Sequence, residues 1–188
     1  MVMTLNIPNV LTMMRIVAIP LFVFAFLWDH PSSNLVAFLV FSLAAVTDWL
    51  DGYLARKWGQ TSAFGAFLDP VADKLIVATA LVLLVYRDGG ETLWLALSAT
   101  IIVGREITIS ALREWMAEMG QSGRVKVSII GKVKTIAQMV ALLLMIYHQD
   151  LWFLPLGAIG LWLLYAAAVL TLWSMVQYLK IAFPQLLQ

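Results

Sequence analysis

The chain has 188 residues, of which 62% are hydrophobic and 12% charged, with a formal net charge of +1 and no cysteine. Soluble domains carry about 25% charged residues and at most about 50% apolar ones, so a water-soluble monomer is excluded, and so is disorder, which needs an apolar-poor sequence. The missing thiols exclude disulfides, thiolate catalysis and cysteine-bound zinc, and a net charge near zero supplies no overall field for nucleic acid.

The length suits one domain over residues 1–188, and no low-complexity tract or internal repeat interrupts it. A helix needs about 20 mostly apolar residues to cross the hydrocarbon core. Six stretches meet that in chain order: Leu11–Trp28, Leu35–Leu54, Phe67–Tyr86, Leu93–Leu112, Ser128–Tyr147 and Leu154–Leu179. Polar breaks separate them, at Asp29–Asn34, Arg56–Ser62, Arg87–Glu91, Glu114–Lys126 and His148–Asp150. Gly and Pro punctuate several of these breaks. The first stretch has no small-residue cleavage site after it and does not read as a signal peptide. The expected fold is all-α: an integral membrane bundle of six transmembrane helices.

Six spans put both termini on one side, and Lys and Arg decide which. Only Arg87 falls in an odd-numbered loop. Arg56, Lys57, Arg105, Arg113, Arg124, Lys126, Lys132, Lys134 and Lys180 lie in or beside even-numbered loops or the tail, and Arg15 and Lys74 lie early in spans that start on that side. The bias places both termini in the cytoplasm. Trp28, Trp94, Trp152 and Trp162 sit near span ends and suit an aromatic belt. His30 and His148 fall in predicted periplasmic loops, solvated and without a role.

The anomaly is acidic. Asp48 and Asp51 lie inside the second apolar stretch, and Asp69 and Asp73 open the third. An ionised carboxylate at membrane depth costs roughly 2.5–3.5 kcal/mol on insertion scales unless it is paired or metal-bound. The i, i+3 and i, i+4 spacings put each pair on one helix face. Short connections make consecutive helices antiparallel neighbours, so the two pairs converge near the cytoplasmic ends. Four close carboxylates without a basic partner repel, and a hard divalent cation resolves the repulsion; oxygen ligands select Mg²⁺, Mn²⁺ or Ca²⁺. Gly52 and Ala55 extend the Asp48 face with almost no side chain, Arg56 follows one turn later, and Gly65 precedes Asp69. Carboxylates, a flat small-residue patch and an arginine describe a site for a metal-bound pyrophosphate. Each part also has a plain reading. Asp69 before Pro70 fits a helix N-cap, the aspartates fit an ion relay, and Gly52 with Ala55 fits a helix-packing seam.

Asp48, Asp51, Gly52, Ala55, Arg56, Gly65, Asp69 and Asp73 together fill eight fixed positions in a pattern 26 residues long. It resembles the signature of the CDP-alcohol phosphatidyltransferase family, with no departure at any signature position. The likeness extends over Asn6–Thr12, Arg15, Gly104–Ile107, Ala111–Ala117 and Gly131–Thr135, which look like the bacterial branch using a glycerol 3-phosphate acceptor.

The resemblance implies CDP-diacylglycerol as donor, sn-glycerol 3-phosphate as acceptor, and phosphatidylglycerophosphate and CMP as products. It implies Asp48, Asp51, Asp69 and Asp73 as ligands of two Mg²⁺ or Mn²⁺ ions, with Asp73 also the base, and Gly52, Ala55, Arg56 and Gly65 at CDP-diacylglycerol. A bacterial inner membrane, an active site at its cytoplasmic face and a homodimer follow from the same likeness. The doubly charged acceptor requires cations, for which Arg105, Arg113, Lys132 and Lys134 are the candidates. Arg105 and Arg113 share a helix face eight residues apart, while Lys132 and Lys134 point to different faces, so one of those two faces the site. Three other readings stay open: another acceptor such as serine, inositol or phosphatidylglycerol, a cation transporter, and a purely structural membrane protein.

Overall fold

A computed structural model describes residues 7–58, 63–119 and 129–186, except the side chains at 7–9, 49, 51–56, 58, 63, 64, 66, 129–132 and 181–186. The described residues form six helices and no strand: α1 (Ile7–Leu27), α2 (Ser33–Trp58), α3 (Ala63–Asp88), α4 (Leu93–Glu118), α5 (Ile129–Tyr147) and α6 (Leu156–Leu186). One helix forms over each expected apolar stretch, so the all-α expectation holds. By length and composition Val10–Leu27, Leu93–Glu118 and Leu156–Lys180 suffice to cross a membrane, and Ser33–Asp48 and Val133–Tyr147 are shorter apolar segments.

Several helices run past the apolar stretches that announce them. α2 continues through Arg56 to Trp58, and α3 begins at Ala63, four residues before Phe67. That second boundary removes the N-cap reading of Asp69: the residue lies inside α3, with Pro70 beside it in the helix. Pro70 has no N–H, so the carbonyl four residues earlier loses its helical donor.

The turns at the other end of the bundle are tight. α3 stops at Gly89 and Gly90, whose φ angles of 64° and 80° are left-handed and suit glycine at a helix C-terminus. The Asp88 carboxylate accepts from Thr92 N at 2.7 Å and Thr92 Oγ1 at 2.8 Å, tying that turn to the start of α4. His30 and His148 are both exposed, as expected.

One apolar core links all six helices through Phe22, Phe41, Leu81, Ile102, Leu142 and Leu164, each almost fully buried. Burying a side chain of that size contributes about 1.5–3 kcal/mol. α5 and α6 pack most intimately, and Gly160 is where their backbones close up. A Cβ there would stand 2.9 Å from Ala141 O and 2.8 Å from Met145 Cγ. Outward, Val17, Phe24, Leu43, Val82, Trp162 and Val169 are well exposed on four different helices. Apolar exposure of that extent marks an interaction surface, and around a bundle of apolar helices it fits lipid.

The packing differs from the expected order of neighbours in one respect. α2 and α3 are consecutive but touch only marginally, whereas α1 packs against both. The two aspartate-bearing helices are therefore brought together across α1.

Candidate active site

Polar side chains do not belong in an apolar core unless something holds them, and this core buries several. Thr12 and Arg15 of α1, Arg105 of α4, Lys134 and Gln138 of α5, and Ser174 of α6 are all buried. Most of them border one cavity of about 460 Å³, to which every helix contributes.

The acidic wall comes from α2 and α3. Asp48, Asp69 and Asp73 all line the cavity, as the helix-face argument required. Thr12 and Arg15 are three residues apart on α1 and share a face. Thr12 Oγ1 donates to Asp69 Oδ1. The Arg15 guanidinium donates to Asp73 Oδ1 and lies 3.1 Å from Asp48 Oδ1. Arg15 is only 1% exposed, while Asp48 and Asp73 keep 46% and 44% of their side-chain surface.

This corrects one expectation. The aspartates do have a basic partner, Arg15, and one guanidinium bridges the two carboxylate helices. The sequence signal was available: an arginine inside an apolar stretch faces the same desolvation cost as an aspartate there. Its partners lie 33 and 58 positions away, and no spacing rule reaches that far.

Among the described residues no three Asp, Glu, His or Cys side chains cluster tightly enough to hold an ion. Asp51, the fourth carboxylate expected, lies outside the described side chains, as do Gly52, Ala55 and Arg56. The donor chemistry fits a hard cation all the same, because every candidate is a carboxylate and two of the three in view are nearly half open to the cavity. Gly65 is buried one turn before Asp69, outside the cavity's described lining.

The basic wall comes from α4 and α5. Arg105, Arg113 and Lys134 all border the cavity, so the pair eight residues apart does share a face. Lys134 reaches the site; the Lys132 side chain lies outside the described residues. Glu106 was not singled out from sequence, yet it is the counter-ion of this wall. Arg105 Nη1 donates to its Oε1 at 2.6 Å, and Lys134 Nζ stands 3.8 Å from the same atom. Lys134 is 3% exposed, and its Nζ, like Arg105 Nε, has no hydrogen-bond partner among the described residues. Buried donors left unsatisfied cost about 1–3 kcal/mol each, so the basic wall is built with unspent capacity for an anion.

α6 supplies the backing. Arg105 Nη2 donates to Ser174 Oγ at 3.2 Å, and Arg113 Nη2 donates to Tyr178 Oη at 3.3 Å. Neither Ser174 nor Tyr178 was legible beforehand, because a serine and a tyrosine in an apolar helix carry no distinctive pattern.

An acidic wall meets a basic wall across one chamber bordered by apolar Phe41, Ala44, Ile76 and Val77. Such a chamber suits two charged reactants joined through phosphate: one bridged by cations to the carboxylates, the other held by guanidinium and ammonium groups.

The chain is similar to known proteins. The sequence profile described as CDP-alcohol phosphatidyltransferase matches residues 5–173. A Haemophilus influenzae protein is 54% identical over 187 residues, covering 98% of this chain and 97% of its own. Proteins of Escherichia coli and Shigella flexneri are each 51% identical over 185 residues, covering 98% of this chain and 99% of theirs. All three are named CDP-diacylglycerol–glycerol-3-phosphate 3-phosphatidyltransferase.

Proposed function

The chain belongs to the CDP-alcohol phosphatidyltransferase family, and from that membership and its two-walled cavity we propose that it transfers the phosphatidyl group of CDP-diacylglycerol to sn-glycerol 3-phosphate. The products are phosphatidylglycerophosphate and CMP, and the setting is anionic phospholipid synthesis. The observation that carries this reading is the meeting of Asp48, Asp69 and Asp73 with Arg105, Arg113 and Lys134 in one cavity. A serine, inositol or phosphatidylglycerol acceptor offers no phosphomonoester dianion for three cations to hold. A cation transporter has no use for a path bordered by Arg15, Arg105, Arg113 and Lys134.

Asp48, Asp51, Asp69 and Asp73 would hold two divalent ions, Mg²⁺ or Mn²⁺. When bound, these ions neutralise charge on the pyrophosphate and on departing CMP. Gly52, Ala55 and Gly65 leave room for the nucleotide against the helix backbones, and Arg56 contacts its phosphates. Arg105, Arg113 and whichever of Lys132 and Lys134 faces the acceptor hold the phosphate of glycerol 3-phosphate; Lys134 borders the cavity.

With both substrates held, the 1-hydroxyl oxygen of glycerol 3-phosphate attacks the phosphorus that carries diacylglycerol. A new P–O bond forms there. The bond from that phosphorus to the bridging oxygen breaks, and CMP leaves with the electron pair. Asp73 accepts the hydroxyl proton, a role worth about 10²–10⁴-fold in rate. Arg15 keeps the Asp73 carboxylate pointed into the cavity through its charge-assisted bond. Thr12 orients Asp69 in the same manner.

The donor carries two acyl tails and a nucleotide, so the site belongs at a membrane–water boundary. Six spans, cytoplasmic termini, a cytoplasmic active site in a bacterial inner membrane and a homodimer complete the proposal. Purified protein given both substrates and Mg²⁺ should release CMP and form a lipid with the mass of phosphatidylglycerophosphate. Release that persists in EDTA would contradict the metal assignment, and release that ignores glycerol 3-phosphate would contradict the acceptor.

A further inference from the structure

The two arginines of the basic wall are held by a second helix in a way that changes their spacing. Arg105 and Arg113 are eight residues apart on α4, about 12 Å of helix rise. Their partners on α6, Ser174 and Tyr178, are four residues apart, about 6 Å of rise. α4 and α6 pack directly on each other. Each guanidinium is thus bound to an anchor set half as far from its neighbour as the arginine backbones are.

The anchors are firm. Tyr178 is 8% exposed and Ser174 1%. Ser174 Oγ directs its own hydrogen to Thr171 O at 3.3 Å, leaving its lone pairs for Arg105. Tyr178 holds Arg113 twice, through its hydroxyl at 3.3 Å and through its ring, with the guanidinium carbon 5.6 Å from the ring centroid. Arginine has five N–H donors, so this grip uses few and leaves the rest for a ligand. Tyr178 itself borders the cavity.

We propose that Tyr178, assisted by Ser174, is a positioning residue for the acceptor. It draws the Arg113 guanidinium toward that of Arg105, so that both reach one phosphate group. This rests on the reading of Arg105 and Arg113 as acceptor-phosphate residues. Tyr178 acts through Arg113 and takes no part in the bond changes.

The test is steady-state kinetics of the full chain in detergent micelles, with glycerol 3-phosphate and CDP-diacylglycerol varied separately. Tyr178→Phe keeps the ring and loses the hydroxyl. It should raise the acceptor KM about 2–10-fold, with an unchanged donor KM and thermal midpoint. Tyr178→Leu removes both holds and should raise the acceptor KM further. In an Arg113→Ala background, Tyr178→Phe should add nothing, because residues acting through one another are not additive. An unchanged acceptor KM in Tyr178→Phe, the same factor in the Arg113→Ala background, or an equal rise in both substrate constants would each overturn the proposal. In those cases an elevated acceptor KM for Arg113→Ala alone leaves the acceptor site standing. If Arg113→Ala itself binds acceptor normally, the acceptor-site reading falls and the positioning role falls with it.

Discussion

Lys134 offers a substitution in which stability and activity should move apart. The residue is 3% exposed, and its ammonium group is buried 3.8 Å from Glu106 Oε1. At an effective dielectric of 20, a unit pair at that distance attracts by roughly 4 kcal/mol. Two terms oppose this attraction. Burying an ammonium costs several kcal/mol, and Arg105 and Arg113 add like charge around the same cavity. Lys134→Met keeps the length of the side chain and removes the charge. Glu106 is not orphaned by the change, because Arg105 still binds it at 2.6 Å and it is 31% exposed. Replacing a whole buried ion pair by apolar side chains is commonly neutral or stabilising by about 1–4 kcal/mol, and removing one ion is costly only when its partner is left uncompensated. With Arg105 still on Glu106, the change should leave stability near neutral or higher. The acceptor meanwhile loses a charge-assisted hydrogen bond of about 1.5–3 kcal/mol, which is roughly a 10–150-fold rise in its KM. Thermal unfolding in micelles followed by circular dichroism reads the first effect, and CMP release against glycerol 3-phosphate concentration reads the second. A lowered unfolding midpoint together with an unchanged acceptor KM would refute the reasoning and make Lys134 a structural residue.

Asp73→Asn should retain CDP-diacylglycerol binding and lose turnover by about 10²–10⁴-fold; lost donor binding with near-normal turnover would make Asp73 a ligand and not the base. Gly160→Ala and Gly104→Ala should shift the unfolding midpoint in opposite directions. Alanine gains up to about 1 kcal/mol of helix propensity at either position. At Gly160 the backbone carbonyl of Ala141 blocks the new Cβ at 2.9 Å, while Gly104 has nothing within 4 Å. Overpacking of the first kind costs about 1–3 kcal/mol, so Gly160→Ala melts lower and Gly104→Ala higher, and equal shifts would refute the α5–α6 contact. Topology reporters placed after Gln188 and near Asp88 should read cytoplasmic and periplasmic respectively, and reversed signals would put the site on the wrong face for a cytoplasmic nucleotide.

The helices were legible because long apolar runs separated by polar breaks mark them, and a helix forms over each of the six runs. The aspartates were legible for the complementary reason. Charge in such a run is costly, so Asp48, Asp69 and Asp73 stood out, and helical spacing put each pair on one face. The same logic applied to Arg15, but its meaning depends on which helices α1 packs between, and periodicity carries no such information. Glu106 was hidden because its role as counter-ion depends on Lys134, a residue of another helix, as well as on adjacent Arg105. Ser174 and Tyr178 were hidden because hydroxyl groups cost little in an apolar helix. The helix ends were the least legible feature: polar residues from Arg56 to Trp58 and from Glu114 to Glu118 read as loop, yet α2 and α4 continue through them.

The claim on which the rest depends is that the basic wall takes a phosphomonoester acceptor. Its most direct measurement is an acceptor competition. Purified protein is given CDP-diacylglycerol, Mg²⁺ and equal concentrations of glycerol 3-phosphate, serine and inositol, and the lipid products are separated by mass. Phosphatidylglycerophosphate should be the overwhelming product, and Arg113→Ala should erode that preference. Phosphatidylserine or phosphatidylinositol formed as readily by the wild-type chain would contradict the claim.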